Sequence, residues 1–279
     1  MKFEFKVLND NIRLSDELKL HISRRLYRGI KNRNTIFYVN SIETKLYMMV
    51  NKDDIITFEF DKDRDINWEL YESNLDIYYE NTNYMVVYKR DGLLSIPTKA
   101  EPYSLFQEVI YYLNKKNEST DISILNRLDK DTSGLALIAK NPYAASLMSP
   151  VHEKMERKYL ALCKGIFESN EGTIDLNIKK SDDSNKRIIS PLGQRAITHY
   201  KVIETIDNNS IVEFKLETGR THQIRLHSST IGHPIIGDKL YGDGEKDKLY
   251  LLSYYIKFIN PFDNKEVLIE LEKNKLLDK

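Results

Sequence analysis

The sequence predicts an α+β protein in which strands outnumber helices. Apolar residues recur with helical spacing only in short stretches, and most other apolar runs have strand length, without the regular strand-helix-strand alternation of a doubly wound sheet. With 279 residues, 41% of them hydrophobic, the chain can bury one large core or two modest ones.

The elements follow in order. Leu14, Leu18, Ile22, Leu26 and Ile30 recur every four residues, as a buried helical stripe would, and leave Arg24, Arg28 and Lys31 largely off it. Ser23 can cap a helix of its own, so the stretch reads as two short helices. Strands follow at residues 36–41 and 54–60. Residues 1–65 thus read as a small unit, residues 66–76 as an acidic linker, and residues 77–275 as the main domain. Within it, residues 77–89 read as a hairpin-like pair, 104–113 as a helix, and 135–139, 159–163, 210–216, 249–258 and 266–271 as strands. Tyr159, Ala161 and Cys163 share one strand face, Leu160 and Leu162 the other, so that strand should be central.

Lysine plus arginine equals aspartate plus glutamate at 42 each, so net charge argues for no particular partner. The distribution is uneven. Between residues 11 and 33, seven basic residues (Arg13, Lys19, Arg24, Arg25, Arg28, Lys31 and Arg33) meet only two acidic ones. Cys163 is the single cysteine and lies among apolar residues, which excludes an internal disulfide and predicts a buried, inert thiol. The amino terminus lacks the apolar core of a signal peptide, and nowhere do eighteen apolar residues run together; the expectation is a soluble cytoplasmic protein.

The chemistry concentrates in residues 126–135, NRLDKDTSGL, where Arg127 and Asp129 share a face of extended chain. Read alone, the two would be a structural ion pair. Three other stretches carry polar groups: ERKYLALCKG (156–165), VEFKLETGRTHQIRLH (212–227) and GHPIIGDKLYG (232–242). In the second, Val212, Phe214 and Leu216 alternate with charges as a half-buried strand, and Thr218 and Gly219 turn the chain to place Arg220 at the strand end. His222 and His227 are five apart, no glutamate completes an HExxH, and cysteine ligands are missing, so no metal is expected. No Walker lysine motif or GxGxxG occurs, so no nucleotide cofactor is expected either. Ser133 sits in TSG and not in GxSxG, and Asp129 has no second placed carboxylate of the kind glycosidases use.

RLDxxTSGL, the RKYLALCKG strand, TGRTHQIR and GHPIIGDKLYG, in that order, resemble the RluA-type pseudouridine synthases, which isomerise uridine to pseudouridine in RNA. The resemblance covers about residues 77–275. It implies a mixed, largely antiparallel central sheet, no cofactor, RNA as partner, and a catalytic set of Asp129, Tyr159 and Arg220. Asp129 would be nucleophile or base, Tyr159 would stack on the base and help remove its C5 proton, and Arg220 would pair with Asp129. Arg127 would fill the space the flipped base leaves, with Thr132 and Gln223 as further substrate contacts. Residues 12–60 are similar to an S4-like RNA-binding module, which would place Arg24, Arg25, Arg28 and Lys31 on RNA. The implied substrate is 23S ribosomal RNA, with transfer RNA as the alternative, and the implied state is a monomer. A non-catalytic RNA-binding protein with a decayed synthase domain is the rival. Departures from the family pattern are Asn126 for histidine, YKRDG (88–92) for NKPxG, Arg157 for lysine and Leu252-Ser253 for His-Ala. Asn126 should then bear on substrate recognition.

Overall fold

The computed structural model describes residues 2–31, 35–59, 70–148, 151, 154–184, 186–244 and 246–278, with only the backbone of Lys31. The chain opens with β1 (Lys2–Lys6), β2 (Ile12–Arg13), α1 (Leu14–His21), α2 (Arg24–Lys31), β3 (Ile36–Val39), β4 (Ile42–Thr44), β5 (Met49–Val50) and β6 (Ile55–Glu59). The helical stripe is real and broken: Leu14, Leu18, Ile22, Leu26 and Ile30 are all buried, and the Ser23 hydroxyl accepts the Leu26 N–H at 3.3 Å at the start of α2. The stripe covers an antiparallel sheet of order β1-β6-β3-β4. β1 buries Phe3 and Phe5 while Lys2, Glu4 and Lys6 point outward, a period-2 pattern in the first residues that the sequence reading left unassigned.

The larger part contains β7 (Ile77–Glu80), β8 (Tyr84–Lys89), α3 (Leu105–Lys115), β9 (Ser123–Ile124), β10 (Ser133–Ala139), α4 (Pro142–Met148) and β11 (Glu156–Lys164). It continues with β12 (Glu171–Asp175), β13 (Ile178–Lys180), β14 (Arg187–Ile189), β15 (Ile197–Ile206), β16 (Asn209–Leu216), α5 (Gln223–Thr230), β17 (Leu251–Ile259) and β18 (Glu266–Glu270). Ten strands form one sheet along β12-β15-β16-β11-β17-β10-β8-β7, with β18 on β17 and β9 on β10. Among the described strands only β10 and β17 pair in parallel, so the expected mixed, largely antiparallel sheet is what the chain forms. β11 lies between β16 and β17, with Tyr159, Ala161 and Cys163 in one apolar cluster and Leu160 in another. All seven residues of β10 are buried, as a strand covered on both faces must be.

The small sheet does not stand apart. Tyr143 of α4 sits in its core, 4.7 Å from the Phe3 ring and 5.5 Å from Phe58, and the Ser23 N–H donates to the Ser146 hydroxyl. Of the expected linker, residues 66–69 lie outside the described residues. Leu70 and Leu75 pack on the cluster beneath α3.

Candidate active site

Asp129 sits on the loop between β9 and β10, and buried side chains hold that loop at several points. The Ser95 hydroxyl donates to the Leu128 carbonyl at 2.7 Å and accepts the Leu128 N–H at 3.0 Å. The Lys89 ammonium donates to the carbonyls of Arg90, Leu93 and Lys130 at 2.7 to 2.8 Å, one per proton. Burial pulls the Lys89 pKa down to about 7. The Thr132 N–H closes the turn onto the Asp129 carbonyl at 3.1 Å. Gly134, at φ +112°, lets β10 run against β17: a Cβ there would meet the Ser253 carbonyl oxygen at 2.2 Å.

Asn126, expected to bear on substrate recognition, is tied into this scaffold. It is 3% exposed, its amide donates to the Leu135 carbonyl at 3.1 Å, and its oxygen accepts the Leu137 N–H at 2.5 Å. The side chain braces β10 at the wall of the cleft.

The carboxylate opens into a cleft of about 660 Å³, lined also by Arg127, Arg157, Tyr159, Arg220, His222 and Arg225. Tyr159 is 7% exposed, on β11 next to a register shift between Lys158 and Tyr159 where β17 accommodates an extra residue. Burial raises its phenol pKa, opposed by the nearby Arg157 and by a hydrogen bond with Ser253. Arg157 is buried under Gly219, where a Cβ would come within 3.2 Å of Nη1, and its Nε has no hydrogen-bond partner among the described residues.

Arg220 does not pair with Asp129. It is exposed, and its Nε donates to the Arg195 carbonyl at 3.3 Å. The guanidinium beside the carboxylate is Arg225, with Nη1 3.9 Å from Asp129 Oδ2. The cause is local: the Gln223 amide oxygen accepts the Arg220 N–H at 2.9 Å, α5 starts there, and Arg225 comes from its first turn. Arg225 is buried and doubly bonded to Asp238, at 2.8 Å through Nε and 2.7 Å through Nη2. Burial works against its charge, but Asp238 and Asp129 outweigh it and raise the pKa. His222 completes the surround, with Nε2 4.0 Å from Asp129 Oδ2.

Gln223, expected as a substrate contact, lies at the cleft wall with its amide engaged by the fold. Its oxygen accepts from Thr218 Oγ1 and the Arg220 N–H, and its nitrogen donates to the Ile197 carbonyl and Thr198 Oγ1, so all four hydrogen-bonding positions are used. Thr132 is buried at the cleft edge and Arg127 is exposed in it. Arg24, Arg25 and Arg28 are exposed on α2, and the side chain of Lys31 lies outside the described residues. Sequence reasoning passed over Lys89, Ser95, Arg225, Asp238 and Tyr241. The signal for Arg225 was present, since TGRTHQIR holds two arginines.

Residues 83–230 match the family described as RNA pseudouridylate synthase. The Bacillus subtilis uncharacterized RNA pseudouridine synthase YjbO is 34% identical over 87% of this chain and 88% of its own. Ribosomal large subunit pseudouridine synthase D of Borreliella burgdorferi is 31% identical over 92% of this chain and 84% of its own. The solved structure of human RNA pseudouridylate synthase domain containing 1 superposes with a TM-score of 0.61 at 24% identity, over 72% of this chain and 84% of that one, a likeness of fold.

Proposed function

The chain belongs to the RNA pseudouridylate synthase family and is an RNA pseudouridine synthase; from that premise we propose that it isomerises specific uridines of 23S ribosomal RNA, with Asp129 as the catalytic carboxylate. The observation that carries the assignment of Asp129 is its surround: a carboxylate on a pinned loop, facing a cleft, with Arg225 at 3.9 Å and His222 at 4.0 Å. Isomerisation breaks N1–C1′, turns the uracil and bonds C5 to C1′, moving a proton from C5 to N1 without gain or loss of atoms. A carboxylate serves this as nucleophile or as base. Arg225 places a positive charge beside it, itself fixed by Asp238.

Tyr159 stacks on the extruded uracil, returning about 1 to 3 kcal/mol of the few that unstacking costs. Arg127, exposed in the cleft, occupies the vacated stack, and Arg220 contacts the RNA backbone. The small amino-terminal domain, residues 1–65, is an S4-like RNA-binding module, and Arg24, Arg25, Arg28 and Lys31 hold phosphates. The large-subunit assignment rests on the name of the Borreliella relative, with transfer RNA second.

Purified protein incubated with RNA from a strain lacking the gene should release tritium from C5-labelled uridine. No release, beside an active control synthase, rejects the assignment. Pseudouridine mapping of total RNA with and without the gene decides between ribosomal and transfer RNA.

A further inference from the structure

Behind Asp129 lies a chain of hydrogen bonds that the reaction as described leaves unused. The Tyr241 hydroxyl oxygen accepts the backbone N–H of Arg187 at 2.7 Å and lies 2.9 Å from His222 Nδ1. These are its two hydrogen-bond partners among the described residues. With the Arg187 amide fixed as a donor, Nδ1 is the acceptor within reach of the phenolic proton among the described residues, and a proton donated there leaves Nδ1 bare. The remaining imidazole nitrogen, Nε2, then bears the proton and faces Asp129 Oδ2 across 4.0 Å.

We propose that His222 is a positioning residue for Asp129, held by Tyr241 as the neutral Nε2–H tautomer so that it donates to the catalytic carboxylate without adding a charge. The proposal rests on the reading of Asp129 given above. Other features fix the pair. Asp238 Oδ1 accepts the N–H groups of Leu240 and Tyr241 at 2.9 and 3.0 Å, and the Arg225 guanidinium lies 5.5 Å from the Tyr241 ring centroid. One buried carboxylate thus places both the cation and the phenol. His222 adopts a left-handed backbone at φ +57°, just ahead of α5. The charged groups facing the imidazole are Asp129, Arg225, Arg187 and Asp238. Burial lowers its pKa against the pull of Asp129, which favours the neutral ring. A catalytic hydrogen bond at 4.0 Å without substrate is one that closes when RNA fills the cleft.

Two measurements test this. In the two-bond proton–nitrogen spectrum of histidine-labelled protein, free of RNA, the His222 signal, assigned by its loss in His222→Asn, should show an unprotonated Nδ1 and a protonated Nε2 near pH 7. Tyr241→Phe should mix the tautomers. A protonated Nδ1 in the wild-type protein overturns the proposal whatever the enzyme's activity. In single turnover, His222→Gln places an amide N–H where Nε2 stood and should stay within several-fold of wild type, whereas His222→Asn should fall about 100-fold with RNA affinity unchanged. Asparagine suits the left-handed backbone better than glutamine, so a purely structural role predicts the opposite order, which overturns the proposal. Tyr241→Phe removes a hydrogen bond to the neutral imidazole, so the ring's pKa rises and activity should be lost at a higher pH on the acid side; an unchanged profile counts against the relay.

Discussion

The two walls of the cleft are built on different physical terms. The wall that carries Asp129 is a loop held by neutral or caged groups bonded to backbone: Ser95 on Leu128, Asn126 on β10, and Lys89 on three carbonyls. The facing wall, from Thr218 to Tyr241, is a run of side-chain pairs: Arg225 with Asp238, His222 with Tyr241, Gln223 with Thr218. One wall fixes where the carboxylate sits; the other fixes what charge surrounds it. The walls should therefore fail differently under mutation.

The largest effect is expected where they meet. Asp129→Ala should lower single-turnover rate by more than about 1,000-fold while RNA affinity stays within several-fold, read by tritium release and filter binding. Retained turnover would remove Asp129 from its role. Next, Arg225→Met leaves Asp238 buried without its cation, and denaturant unfolding should show a loss of about 3 to 5 kcal/mol together with a fall in rate. If Asp238→Asn in the same chain fails to restore stability, the buried pair is not the cause. On the other wall, Lys89→Met leaves three carbonyls without their donor and should cost about 3 kcal/mol or more, with the rate falling because the loop loosens. Equal stability of Lys89→Met and wild type would show that the ammonium does not hold the loop. The smallest effect belongs to Arg220→Ala. With a guanidinium that is exposed and bonded only to a backbone carbonyl among the described residues, it should weaken RNA binding by several-fold, more at low salt, with the chemical step unchanged. A collapse of single-turnover rate at saturating RNA would return Arg220 to the catalytic set.

Most of the framework was legible along the chain because strand and helix periodicities are local. The all-buried β10 and the two apolar faces of β11 were readable, as was the break in the helical stripe at Ser23. The region between β11 and β16 was not. β12 and β15, at the edge of the large sheet, and β13 and β14, which pair with each other apart from it, mix charges with apolar residues on half-exposed strands, where alternation blurs.

By itself the sequence determined the α+β class, the family motifs and the segment holding Asp129, since each is a matter of residue order. The tertiary structure alone decided which of two arginines in TGRTHQIR faces that carboxylate. Arg220 and Arg225 are alike in composition and close in sequence. They part because α5 begins at Gln223 and Asp238, from a distant turn, captures only the buried one. The same holds for Asn126 and Gln223, polar residues inside catalytic motifs whose hydrogen-bond partners among the described residues belong to the fold. A buried polar group must be satisfied by whatever the fold brings to it, and those partners lie from 3 to 26 residues away along the chain.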